Sequence, residues 1–155
     1  MPPFNIVLVE PEIPPNTGNI ARLCAATGTI LHLVEPLGFS LDDRYLKRAG
    51  LDYWEHVQLR TWPSLAALQS AVPEGRFFYL STKAERSYLS ASYRPGDYLV
   101  FGRETKGLPE ELIRANPETA VTIPMPGPEA VRSLNLSTSA GIVLYEALRQ
   151  TGGVN

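Results

Sequence analysis

The fold class predicted by this sequence is α/β, a mostly parallel sheet with helices on both faces, and three observations carry it. Short runs that are apolar along their whole length recur from one end of the chain to the other. Segments with helical spacing separate them, and Pro, Gly, Asn or Asp marks nearly every join. A strand buried on both faces has no polar side, so it reads as a continuous run, and parallel neighbours need a helical crossover between them.

Taken in order, residues 5–9 (NIVLV) form the first such run, bounded by Pro11, Pro14 and Pro15. Asn16 and Thr17 are expected to cap a helix that carries Ala21, Leu23, Cys24 and Ala25 and stops near Gly28. Residues 30–34 form the second strand, ended by Pro36 and Gly38, and Ser40 to Asp43 reads as a capping box opening a helix to about Ala49. Strands at 57–59, 77–80, 98–101 and 121–123 follow, with helices at 64–71, 109–115 and 137–149. The last helix places Ala140, Leu144, Ala147 and Leu148 on one stripe.

No repeat or linker interrupts the series, so residues 1–155 are expected to form a single domain. The hydrophobic content of 44% and charged content of 19% are those of a globular protein. No apolar run nears the roughly 20 residues of a membrane span, and nothing resembles a signal peptide, so a cytoplasmic address is expected. Cys24 is the lone cysteine, and His32 and His56 have no cysteine partners nearby, so no metal site is expected. A formal charge of −2 speaks against a strongly basic nucleic-acid binder but leaves room for a local basic patch.

Ligands of open parallel sheets bind beyond the carboxyl ends of the strands. That rule points to the segments after Leu80, Phe101 and Ile123. In the second of these, Gly102 and Gly107 are spaced as in a phosphate-binding loop, but Leu108 and Pro109 stand where its Lys and hydroxyl would be. The same stretch reads equally as a strand-to-helix turn with Pro109 at the first helical position. The third leads through three prolines into R-S-L-N-L-S-T-S, a connector of thirteen residues where about two to six are usual. A single cap would suffice there, and the chain supplies Ser133, Asn135, Ser137, Thr138 and Ser139. In the first loop Asn16 precedes Arg22 by six residues, which turns the two about 120° apart on a helix. Arg44, Lys47 and Arg48 share a helix face near Tyr53 and Trp54, a pairing of cations and rings suited to RNA.

Three stretches together resemble one family: N-T-G-N-I-A-R at 16–22, F-G-R-E-T-K-G-L-P at 101–109 and I-P-M…R-S-L-N-L-S at 123–137. They look like the three motifs of SPOUT-superfamily RNA ribose 2′-O-methyltransferases. With E-P-E-I-P-P-N-T-G-N, R-A-G-L-D-Y-W and the short length, the chain resembles the minimal type that methylates the tRNA wobble nucleotide, cytidine or carboxymethylaminomethyluridine.

This resemblance implies a C-terminal trefoil knot, S-adenosylmethionine as donor with S-adenosylhomocysteine as product, and a homodimer whose active sites are shared between chains. It implies cofactor contacts at Leu80, Ser81, Thr82, Gly102, Glu104, Gly107, Ile123, Met125, Ser133, Leu134 and Asn135. Arg22 and Asn16 are the catalytic residues it implies, with Arg22 beside the ribose hydroxyl. The tRNA anticodon loop would meet Arg44, Lys47, Arg48 and Arg132; Tyr145 would line the RNA-side or dimer surface, or belong to the core. Arg103 departs from the smaller residue or proline expected at its place. Two rival readings are a catalytically silent RNA-binding protein and a ribosomal-RNA methyltransferase; relatives of the latter type usually carry an extra N-terminal domain.

Overall fold

The structure, a computed structural model, describes residues 1–44, 46, 48 and 54–154. Among these the strands are β1 (Asn5–Val9), β2 (Ile30–Val34), β3 (Gln58–Trp62), β4 (Phe77–Leu80), β5 (Arg86–Ser87), β6 (Tyr98–Phe101) and β7 (Ala120–Thr122). Helices are α1 (Pro14–Thr27), α2 (Leu65–Ala71), α3 (Glu110–Ala115) and α4 (Leu136–Gln150). The strands form one sheet in the order β3-β2-β1-β6-β4-β7-β5, with every pairing parallel. After running outward through β2 and β3, the chain crosses to the other side of β1 and lays β6 between β1 and β4.

Alternate side chains of the strands point to opposite faces. Ile6, Leu8, Leu31, Leu33, Leu99 and Phe101 pack under α1 and α4, against Ile20, Cys24, Ala140, Val143, Leu144 and Ala147. Val7, Val9, Val34, Tyr79 and Val100 pack on the other face against Leu68 of α2 and Ile113 of α3. The expected stripe on α4 therefore gains Val143, while Leu148 is only partly buried.

Several boundaries differ from the expectation, each for a physical reason. Helix α1 starts at Pro14, and Asn16 and Thr17 are buried inside its first turn instead of capping it. A proline costs nothing at the first helical positions, where the N–H would have no partner anyway. Strand β3 reaches Trp62, beyond the expected 57–59, because an edge strand tolerates the exposed Arg60 and Thr61 that had read as its end. The two-residue edge strand β5 carries no apolar run and leaves no sequence signal. At the next expected helix, Asp43 and not Ser40 is the cap: its carboxylate accepts from Leu46 N at 3.2 Å, and Ser40 Oγ accepts from Asp42 N at 3.1 Å. Gly28 ends α1 as expected, in the left-handed region at φ 68° with its N–H on Cys24 O.

A buried polar triad lies across the sheet. Trp62 Nε1 donates to His32 Nδ1 at 3.0 Å, so the ring's proton sits on Nε2, which donates to Asn5 Oδ1 at 2.9 Å. Asn5 Nδ2 donates in turn to Gly96 O at 3.0 Å. Burial, reinforced by the charge of Arg60, pushes the His32 pKa down to about 4, which keeps the ring neutral.

Candidate active site

The carboxyl ends of β1, β6, β4 and β7, four neighbours in the sheet, open into a cleft of about 940 Å³. Its walls are Val9, Glu10, Ile13 and Asn16, then Leu80 to Lys83, Phe101 to Glu110, Thr122, Ile123 and Met125, and the stretch around Arg132 to Ser139 that leads into α4. All three segments indicated by the strand-end rule meet here because a parallel sheet puts every carboxyl end on one edge.

The loop after β6 closes tightly on itself. A Cβ on Gly102 would lie 2.2 Å from Gly107 C and Leu108 N, so only glycine fits. Gly107 turns the chain at φ 66°, where any other residue is strained, and its N–H donates to Arg103 O at 2.8 Å. Around Gly107 nothing lies within 4 Å of the place a Cβ would occupy.

Glu104 is the hub of the site. Its Oε1 accepts from Glu12 N and its Oε2 from Ile13 N, both at 2.8 Å. Helix α1 has no capping side chain of its own, so this carboxylate from a loop some ninety residues away does the capping at the positive end of the helix. Asn16 Nδ2 donates to Glu104 Oε2 at 3.3 Å, and Asn16 Oδ1 accepts from Asn135 Nδ2 at 3.0 Å. Asn135 Oδ1 then accepts from Ser137 N at 2.9 Å and Ser137 Oγ at 2.6 Å, capping α4. A carboxylate can only accept and a backbone N–H can only donate, so the two ends of this relay set the orientation of both amides. One chain of bonds thus joins the three motif stretches. It also answers why polar residues crowd the head of α4: Asn135 is the cap, and Ser133 and Ser139 line the cleft.

A second clasp runs the opposite way. Glu12 Oε1 accepts from Thr105 N at 3.1 Å and from Thr105 Oγ1 at 2.7 Å, and Arg103 Nη2 lies 3.6 Å from Glu12 Oε2. The bonds from Thr105 hold the Glu12 carboxyl below the usual range. Arg103 Nε is buried and has no partner. Sequence singled out Arg103 only as a departure within its motif, and it marked neither Glu12 nor the cleft-lining Lys83, which pairs with Glu110, and Lys106. For Glu12 the signal was its place in E-P-E-I-P-P-N-T-G-N, just ahead of the first motif stretch.

The structure gathers Leu80, Ser81, Thr82, Gly102, Glu104, Gly107, Ile123, Met125, Ser133, Leu134 and Asn135 around the cleft, with Asn16 and Arg132. Arg22 is not among the lining residues. It is exposed on α1, turned away from the buried Asn16 as six helical residues require. Arg44 and Arg48 are exposed in a helical segment, while Lys47 lies outside the described residues. Tyr145 is 47% exposed on α4, so it does not belong to the core.

With a ligand-sized cleft at the carboxyl ends of four neighbouring strands, the chain is an α/β protein that binds its ligand at the edge of a parallel sheet. The chain belongs to the SpoU rRNA Methylase family, whose profile matches residues 3–145. It is 53% identical over 148 residues to a tRNA (cytidine(34)-2'-O)-methyltransferase of Methylovorus glucosotrophus, a match covering 95% of both chains. A solved structure described as giving insight into 2-OH methylation of C/U34 on tRNA is 52% identical, with a TM-score of 0.91 and 97% of each chain covered. The methyltransferase AviRb of Streptomyces viridochromogenes, solved in complex with AdoMet, shares the fold at a TM-score of 0.80 and 23% identity, over 94% of this chain and 59% of that one.

Proposed function

We propose that this protein transfers a methyl group from S-adenosylmethionine to the ribose 2′-hydroxyl of the wobble nucleotide, cytidine or carboxymethylaminomethyluridine, in the anticodon loop of tRNA. The observation that carries this reading is the relay Glu104–Asn16–Asn135–Ser137, which binds the three family motifs into one cleft wall. The near full-length likeness to enzymes named for that reaction supports the substrate.

The cleft suits the cofactor. Its volume lies in the range of small-molecule sites, and the open space at Gly107 admits a ligand against the main chain. Leu80, Ser81, Thr82, Gly102, Gly107, Ile123, Met125, Ser133 and Leu134 would hold it by backbone groups and short side chains, with Glu104 and Asn135 bracing that wall. S-adenosylmethionine supplies a methyl group on a positively charged sulfur, already a strong electrophile. The protein's part is to align the ribose and to manage one proton, and alignment alone is worth ~7–11 kcal/mol in favourable cases.

Arg22 would stabilise the 2′-oxygen as it takes the methyl group, leaving S-adenosylhomocysteine, while the proton passes to water or a phosphate oxygen. Deprotonating an arginine at neutral pH to make it a literal base costs about 7.5 kcal/mol, so a cationic role is cheaper. Its exposed position outside the cleft of its own chain supports an active site shared across a homodimer, in which Arg22 reaches the partner's cleft. Tyr145, exposed on α4, would lie on that dimer surface or on the RNA side. Arg44, Lys47, Arg48 and Arg132 would meet tRNA phosphates. A trefoil knot formed by the segment through α4, a single domain over residues 1–155 and a cytoplasmic location complete the reading.

The experiment is methylation of total RNA, ribosomal RNA and tRNA together, from a strain lacking this protein, with purified protein and labelled cofactor, followed by mapping of ribose methylation. Label at nucleotide 34 is expected; label confined to ribosomal RNA, or none, would refute the proposal. Arg22→Lys should keep cofactor and tRNA binding while lowering turnover about 100-fold, because a point charge does not replace a planar two-pronged contact.

A further inference from the structure

The segment from Arg103 to Gly107 is R-E-T-K-G, without one apolar side chain to anchor it. The loop's internal turn is set by its own backbone, through Gly107 N on Arg103 O, but two carboxylates tie it to the start of α1, and they act in opposite directions. Glu104 reaches out of the loop to cap α1, whereas Glu12 reaches in, holding Thr105 through its N–H and Oγ1 and standing beside the Arg103 guanidinium. Glu12 is itself braced from behind: Gly38 N donates to Pro11 O at 2.9 Å, and a Cβ on Gly38 would lie 2.9 Å from Glu12 Cα, so the loop after β2 presses directly on its backbone.

We propose that Glu12 is a positioning residue for cofactor binding, holding the 103–107 loop open through Thr105 and Arg103. This inference rests on the reading of the cleft as the S-adenosylmethionine site. Glu12 touches neither reactant in that reading; it sets the distance between the loop and the start of α1. Losing its grip should let the loop relax across the cleft, which costs affinity for the cofactor and leaves the chemical step, once the site is filled, unaltered. Carboxylate acceptors are stronger than amide ones, so replacing charge while keeping shape is informative.

Calorimetry with S-adenosylmethionine, together with steady-state methylation of tRNA, tests this on the full-length protein. Glu12→Gln should raise the cofactor Kd about 10-fold with kcat at saturating cofactor within about twofold. Thr105→Val, which keeps the backbone bond and removes Oγ1, should raise it about 3-fold, and the double variant should bind no worse than Glu12→Gln. An unchanged Kd in either variant, even with a lowered melting temperature, would overturn the inference, as would independent, multiplying effects in the double variant. If Glu12→Gln does not fold, Thr105→Val decides alone. Absence of cofactor uptake by the wild-type protein would instead overturn the reading of the cleft, and the inference with it.

Discussion

Two polar networks run through this molecule, and they end differently. The triad Trp62–His32–Asn5 closes on itself: each member is at least half-buried, and its last donor is spent on the Gly96 carbonyl. The relay Glu104–Asn16–Asn135–Ser137 begins at a helix start and passes through the exposed Asn135 in the wall of a cleft. Both satisfy buried polar groups that would otherwise cost roughly 1–3 kcal/mol each. The comparison teaches that hydrogen bonding by itself does not mark a functional residue; a network that opens onto a cavity does.

Substitutions separate the two. The largest effect is expected at Asn16→Ala, which cuts the relay between Glu104 and Asn135: methyl transfer should fall about 100-fold, as misplacement of reacting groups typically costs, with a modest loss of stability. Parity of turnover with wild type would dissolve the distinction. Asn5→Ala should do the reverse, lowering the unfolding free energy by about 2 kcal/mol in urea titrations by orphaning the His32 Nε2–H, with turnover at 25 °C unchanged.

A smaller effect comes from pH. Because the His32 pKa is held down to about 4, the unfolded chain takes up a proton first as pH falls below about 6.5. Stability contributed by the neutral ring is therefore complete above about pH 6.5 and is lost as pH falls toward 4. Allowing for residual solvation, the loss should be on the order of 1–2 kcal/mol. His32→Gln should remove that part of the pH dependence when its denaturation curves are compared with wild type. Smallest of all is Ser137→Ala: the Asn135 cap keeps its bond to Ser137 N, so a change of only about 0.5 kcal/mol in thermal unfolding is expected.

Much of this molecule was legible in its residues. Strands buried on both faces had to be largely apolar, so β1, β2, β4 and β6 stood out despite Asn5 and His32, and the strand-end rule led to Leu80, Phe101 and Ile123 on neighbouring strands. Glycine was demanded at 102 and 107 by the tight loop, and both were visible by their spacing. What burial does not shape was harder to read: the edge strands β3 and β5 carry too little apolar pattern, and a helix beginning with Pro14 and Pro15 imitates a loop.

Apolar periodicity, set by how each segment meets water, settled the fold class and the place of the cleft within this sequence alone. Tertiary structure decided which groups answer one another. The cap of α1 comes from Glu104, and Asn16 bonds residues 88 and 119 positions away, pairings that no local pattern encodes. The 120° between Asn16 and Arg22 follows from helix spacing alone, but tertiary packing decided that Asn16 is the one that faces the cleft while Arg22 stays exposed.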